Sequence, residues 1–193
     1  MKAKKYIRIL CEGEKTEPNY FRGIIKGNKI QGAQIVKPKN NSPVGIVMAA
    51  KKEIKIARRA KIPKSEIEVW AVFDKDEHAN LANAINMATD NNIKVAFSNI
   101  CFEFWILLHY ERSTKPFQNC NEVIQYIRQN YNEDYLKKND HHEKLRDKIE
   151  SAITHNKWLI NTHWQFELQN GVPIYNINPY TDVYKLVNLL LNL

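Results

Sequence analysis

The sequence is poor in the residues that punctuate or cross-link a chain: three cysteines, six glycines and seven prolines in 193 residues. So little glycine and proline excludes a collagenous, fibrous or low-complexity chain. Cys11, Cys101 and Cys120 are odd in number and show no CxxC spacing, so neither a disulfide framework nor a zinc site is expected. Cys11 and Cys101 read most simply as small buried hydrophobes. Long apolar runs are also missing. The longest, within FEFWILLHY, is about half of the ~20 residues that a membrane span needs. The basic start MKAKKYIRIL meets charge too soon to be a signal peptide. A soluble, cytoplasmic protein with no membrane partner is expected.

What is present is ordinary in bulk and unusual in placement. An apolar fraction of 44% and a charged fraction of 26% suit a globular protein, and the length favours a single domain. The net charge of +8 is unevenly held. Residues 1–64 carry 17 lysines and arginines against 4 acids, whereas residues 65–193 carry 12 against 17. The positive excess belongs to the first third.

The hydrophobic pattern alternates between short apolar runs and amphipathic stretches. Tyr6–Cys11 reads as a buried strand, followed by a helix entered through Thr16 and Pro18. Ala33–Lys37 is a second strand. Val44–Ala60 is an amphipathic helix with Val47, Ala50, Ile54 and Ala57 on its apolar stripe. Its other side carries Lys51, Lys52, Lys55, Arg58 and Arg59, which suit phosphates along a nucleic acid and equally an acidic protein partner or plain solvent. Ile67–Phe73 is the third strand, a helix spans Ala79–Asn91, and Ile93–Phe97 is the fourth strand. This alternation predicts an α/β fold with a mainly parallel sheet of about four strands flanked by helices. Beyond Ser98 the rhythm is helical: a buried helix over Cys101–Tyr110, two exposed helices over Asn121–Asn130 and Glu143–His155 joined by the polar stretch Tyr131–His142, and a closing helix over Pro179–Leu193. One domain is expected, with a core over about 4–113 and a helical extension over about 114–193.

Two acid clusters follow apolar strands: Glu12, Glu14 and Glu17 after the first, Asp74 and Asp76 after the third. In an open parallel sheet, ligands gather at the carboxyl ends of the strands. Converging carboxylates repel one another unless a cation neutralises them, and hard divalent ions do this. Such an ion can orient and activate water for in-line displacement at a phosphodiester. Acids after strands also serve as turn formers and caps, and a lone DxD would carry little weight.

The segments ILCEGEKTEPNYF, VWAVFDKDEH, VAFSNICFEFWILLHY and NPYTDVYKLVNLLL, in this order, resemble the RloB-like family of the broader Toprim group. They frame the chain from about residue 6 to its end, while 33–60 and 119–175 match poorly. The resemblance implies a Toprim-like core in which Glu12, Asp74 and Asp76 take the usual Mg²⁺ and catalytic positions, Glu12 also as a general base. The related overcoming-lysogenization-defect nucleases use a further acid soon after the first; Glu17 is the nearest here, one residue beyond their usual spacing. Many family members have proline where Ile100 stands. Relatives act as Mg²⁺- or Mn²⁺-dependent nucleases on DNA or tRNA in abortive infection against phages, often beside an AAA or ABC-like ATPase. A homodimer is another expected assembly, and a non-catalytic subunit binding nucleic acid or the ATPase is the alternative. The FDKD string also resembles the haloacid-dehalogenase nucleophile motif, but that motif ends a first strand, and here Glu12 and another strand precede it.

Further candidates surround the acids. Glu103 sits in an apolar helix just after the fourth strand and needs a cation, an arginine or a hydrogen-bonding backbone. Lys15 could stabilise developing negative charge and His78 could shuttle a proton, though a surface histidine at a helix start is an equal reading. Ser98 and Asn99 read as turn formers, His109 as a satisfied core histidine, and His141-His142 as a surface pair.

Overall fold

In the computed structural model, the described residues are 5–75, 80–139 and 141–193. The expected alternation opens the chain: β1 (Tyr6–Cys11), α1 (Thr16–Gly27), β2 (Ala33–Val36), α2 (Pro43–Arg59), β3 (Ile67–Asp74), α3 (Leu81–Asp90) and β4 (Lys94–Asn99). Then come α4 (Phe102–Leu107), α5 (Cys120–Asn130), α6 (His142–Leu145), α7 (Ile149–Trp158), α8 (Gln165–Gln169), β5 (Tyr180–Thr181) and α9 (Tyr184–Leu191). Local chemistry sets the boundaries. Ser42 accepts the Gly45 N–H at 3.1 Å and Pro43 opens α2, an N-cap with proline at the first helical position. Asn119 caps α5 in the same way by accepting the Glu122 N–H at 3.1 Å.

The sheet has five strands in the order β2-β1-β3-β4-β5. The first four are parallel, and β5 pairs antiparallel to β4. The sequence pattern missed β5 because two residues are too few to show a period. The region expected to be one helix from Pro179 is instead a short strand followed by α9. Asp182 extends this pairing, accepting the Phe97 N–H through its side chain at 2.8 Å and donating its own N–H to the Phe97 carbonyl at 3.1 Å. Ser98 and Asn99 are therefore strand residues rather than turn formers.

Both faces of the sheet are covered, which is why the middle of β3, Val69–Phe73, is a continuous buried apolar run rather than an alternating one. Ile7, Ile9, Trp70 and Val72 pack with α1, α4, α5, α7 and α9, while Leu10, Val69, Ala71 and Phe73 pack with α2 and α3. The connections require this division. α1 carries the chain from β1 outward to β2, and α2 carries it back past β1 to β3, so right-handed crossovers must lie on opposite faces. The carboxyl ends of β1 and β3 then flank the point where the winding reverses, where open α/β sheets form a crevice.

The same topology orients α2. It leaves the carboxyl edge after β2 and ends at the amino edge before β3, so its last turns lie away from that crevice. Lys51, Lys55 and Arg58 line a cleft of about 300 Å³ with Asn91 and Asn92 of the turn before β4. The helical tail is less exposed than its polarity suggests. α5 buries Val123, Ile124 and Ile127, and α7 buries Ile149, Ala152, Ile153 and Asn156. The helix expected over Glu143–His155 is divided, with a tight turn at Arg146–Lys148 between α6 and α7.

Phe21 of α1 has no exposed surface and stacks edge-on against Phe102. Phe21→Ala is expected to cost about 3–5 kcal/mol, read from urea unfolding curves. A loss below about 1 kcal/mol would contradict the packing of α1 onto α4.

Candidate functional site

Glu12 directly follows β1 and continues its ladder, donating its N–H to the Val72 carbonyl at 2.9 Å. Its Oε2 accepts the Asp74 N–H at 3.0 Å, which ties the end of β1 to the end of β3. Asp74 in turn accepts the Phe102 N–H at 3.0 Å and so caps α4, whose second residue is Glu103. Glu17, in the first turn of α1, folds back to accept the Gly13 N–H at 3.2 Å. A side chain at residue 13 would displace the Glu17 carboxylate from this position. These four acids line one cleft of about 350 Å³, together with Glu14 at its rim and with Lys15, Thr16 and Lys137.

Charge is crowded here. Glu17 is 5% exposed and Glu103 is 1% exposed. Burial, reinforced by the neighbouring Glu103 carboxylate, pushes Glu17 up to about 7. Asp74 is held well above the usual carboxylate range, first by the protein packed around its carboxyl and then by Glu17, Glu103 and Glu12. Lys137 offers partial compensation, its Nζ 3.3 Å from Glu103 Oε2, but half of its side chain is exposed. Glu103 Oε1 also accepts from the Tyr135 hydroxyl at 3.5 Å and lies 3.4 Å from Thr16 Oγ1, whose hydrogen points to the Lys137 carbonyl. The donors are all oxygen, the type that hard divalent cations such as Mg²⁺ or Mn²⁺ take, but among the described residues no three of these carboxylates bring oxygens within 4.8 Å of one another.

Glu12, Glu17, Asp74, Glu103 and Lys15 thus come together, although they are spread over nearly a hundred residues of sequence. Asp76 and His78 lie outside the described residues. Glu14 pairs with Lys37 at 3.0 Å on the exposed side of the loop. Lys51, Lys52, Lys55, Arg58 and Arg59 are on α2 with its C-terminal turns toward the opposite edge, so their charge does not surround the acids. In the sequence Thr16 reads only as the entry of α1, and Tyr135 and Lys137 are not singled out. The polar stretch over 131–142 reads as a connector, yet its Tyr135 is fully buried and its Lys137 carbonyl accepts from Thr16 Oγ1 at 2.9 Å beside the cleft.

The histidines divide. His109 is buried with one ring nitrogen 3.0 Å from the Tyr20 hydroxyl and the other 3.0 Å from the Trp105 carbonyl, a satisfied core residue as expected. Burial lowers it to about 4. His141 and His142, expected at the surface, are both buried. His141 stacks on Tyr135, and His142 fills space over Gly23 of α1, where a side chain would collide with it. Cys101 and Cys120 form a disulfide, and Cys11 is free and buried. The pair was not expected, since a separation of 19 residues becomes a contact only through the packing of α4 on α5.

A mostly parallel, doubly covered sheet with carboxylates at its reversal point defines an α/β protein with an acidic cleft at the strand ends. The chain belongs to the RloB-like protein family, whose model matches residues 7–190. No curated protein and no solved structure matches it.

The raised carboxyls have a thermodynamic consequence. Glu17 binds its proton more tightly folded than unfolded, so the folded state holds the extra proton between the two pKa values. The Glu17 contribution to the stability of the metal-free protein is expected to fall as pH rises from about 4.5 to about 7, by roughly 3 kcal/mol, and Asp74, displaced in the same direction, adds to the decline. Chemical denaturation across this range checks it. Glu17→Gln should flatten the decline, and an unchanged slope in that variant would assign the effect elsewhere.

Proposed function

We propose that this protein is a Mg²⁺- or Mn²⁺-dependent Toprim-type nuclease that hydrolyses phosphodiester bonds of DNA or tRNA in anti-phage abortive infection, controlled by an AAA or ABC-like ATPase. The observation that carries the proposal is the convergence of Glu12, Asp74, Glu17 and Glu103 in one cleft at the carboxyl edge of β1 and β3. Family membership adds support.

Glu12 and Asp74 would hold the ion, with Asp76 completing the DxD and with Glu17 and Glu103 as further ligands. Bound there, the cation would counter the crowded negative charge and polarise the phosphoryl group and the attacking water. The protein's own side chains have separate tasks. The Asp74 N–H fixes the Glu12 carboxylate at 3.0 Å, so Glu12 is oriented to take a proton from water as it attacks phosphorus. Lys15 and Lys137 at the cleft supply positive charge to offset the negative charge that builds on the phosphate oxygens and the departing oxygen. Gly13 keeps the loop low enough for Glu17 to fold under it.

The basic helix serves affinity rather than positioning. β3 spans about 25 Å at ~3.3 Å per residue, so a nucleic acid touching both the acid cleft and the last turns of α2 must extend over about that height. That separation is also the observation favouring the second reading, a non-catalytic subunit that binds nucleic acid or the ATPase through α2.

Asp74→Asn keeps an acceptor for the Phe102 N–H and is expected to fold with wild-type stability or better. It should lose at least ~100-fold in Mg²⁺-dependent cleavage and abolish toxicity on induced expression. Full cleavage by a folded Asp74→Asn protein would sink the nuclease proposal. Calorimetric titration with Mg²⁺ or Mn²⁺ separates the second reading, which predicts no binding and no effect of acid substitutions.

A further inference from the structure

The disulfide lies against the acid cleft. Cys101 precedes the first residue of α4, and Cys120 opens α5, with Cα atoms 5.7 Å apart. Cys120 Sγ is also 3.1 Å from Glu103 Oε2, the oxygen that Lys137 approaches at 3.3 Å. The sulfurs and a Glu103 oxygen therefore form one compact cluster, all within 4.8 Å of one another.

We propose that Cys101 and Cys120 form a reversible redox site whose state is felt by Glu103. Three observations carry this. First, the bond is reachable: Cys120 is partly exposed and lines an open cleft of about 550 Å³ beside Lys75 and Ile100. Second, the fold does not rely on the bond to join these helices. Phe117 packs on Phe104, and Val123, Ile124 and Ile127 of α5 lie in the same core as α4. Third, the two redox states differ at the cleft by one proton donor. In the dithiol, the Cys120 S–H donates to Glu103 Oε2. In the disulfide that hydrogen is gone, and of the partners at this oxygen Lys137 remains.

The chemistry balances with a small disulfide as the co-reactant. On oxidation the two thiols lose their hydrogens and two electrons as the Sγ–Sγ bond forms, and the small disulfide takes up both and departs as two thiols. On reduction an external thiolate attacks Cys120 Sγ, the Cys101 sulfur leaves and takes up a proton, and a second thiol resolves the mixed disulfide.

The effect on Glu103 rests on the proposed metal reading, whereas the redox site itself does not, and the experiment separates them. Full-length wild-type protein is equilibrated with reduced and oxidised glutathione at varied ratios, then alkylated and analysed by mass spectrometry. Cys101 and Cys120 are expected to convert together while Cys11 stays a thiol. Both thiols remaining free in excess oxidised glutathione, or Cys120 accumulating as a mixed disulfide, would overturn the proposal. So would a reduced protein that holds one equivalent of Zn²⁺ on these cysteines, which would make the cluster a metal site instead. Calorimetric titration with Mn²⁺ then reads the coupling. The oxidised form is expected to bind about three- to tenfold more tightly, the value of one hydrogen bond withdrawn from a ligand oxygen. Cys120→Ala, lacking the donor, should keep the tighter affinity in reductant. Equal affinity of the two wild-type forms would disprove the coupling. If neither form binds Mn²⁺, the metal reading fails, and the thiol count still decides the redox site.

Discussion

Crowding carboxylates away from water is the constraint on which the strand-end cleft depends. Bringing Glu12, Glu17, Asp74 and Glu103 into one cleft costs free energy in the metal-free chain, first through lost solvation and then through mutual repulsion, as the upward displacement of Glu17 and Asp74 records. Such a grouping persists only where the surrounding structure fixes each acid separately. The Asp74 N–H holds Glu12, the Phe102 N–H holds Asp74, the Gly13 N–H holds Glu17, and Tyr135 and Lys137 hold Glu103. Three of the four are anchored through backbone amides, which donate without adding a compensating charge. The acids are thereby positioned but not neutralised, the condition under which a hard cation gains most.

The parallel sheet makes this anchoring possible. Placing β1 beside β3 brings the loop after one strand within hydrogen-bonding reach of the other, and the reversal of winding there leaves the edge uncovered by crossover helices. α4 then closes the far side because it enters directly after β4, with its first residues over Asp74. All six of its residues are buried, so a helix this short is held by packing rather than by its own hydrogen bonds. Glu103 owes its place to that burial. The apolar neighbours that make its charge expensive also keep it aimed at the cleft.

The strands, their order of appearance and the first three acids were legible in the sequence because each depends on a local pattern: apolar runs that end in carboxylates. Glu103 was legible for a related reason, as a charge set in an otherwise apolar helix. What the sequence hid depends on distant partners. β5 has only two residues, and it becomes a strand because β4 offers an open edge and Asp182 bonds to Phe97 on both sides. His141 and His142 sit in polar surroundings along the chain, yet Tyr135 and a glycine of α1 give them a buried niche. The Cys101–Cys120 contact belongs to the packing of α4 on α5, and no spacing rule reports it.

The distribution of charge changes meaning once the topology is known. Along the sequence, the basic first third and the first acid cluster look like neighbours, and the simplest inference is a positive field drawing phosphates to the acids. The crossover separates them: Glu12 stands at the carboxyl edge, whereas the lysines and arginines of α2 continue toward the amino edge, on the face opposite α4. Near the acids the positive groups are few, Lys15 and Lys137 among them, and Lys137 is already engaged with Glu103. On the proposed nucleic-acid reading a polyanion would meet α2 first, because the crowded acids make the cleft locally repulsive to phosphate. On the metal-dependent reading this arrangement has a use. Phosphate approaches the acids productively only when a divalent ion has reversed the local charge, so binding on α2 and reaction at Glu12 and Asp74 are separately controlled steps.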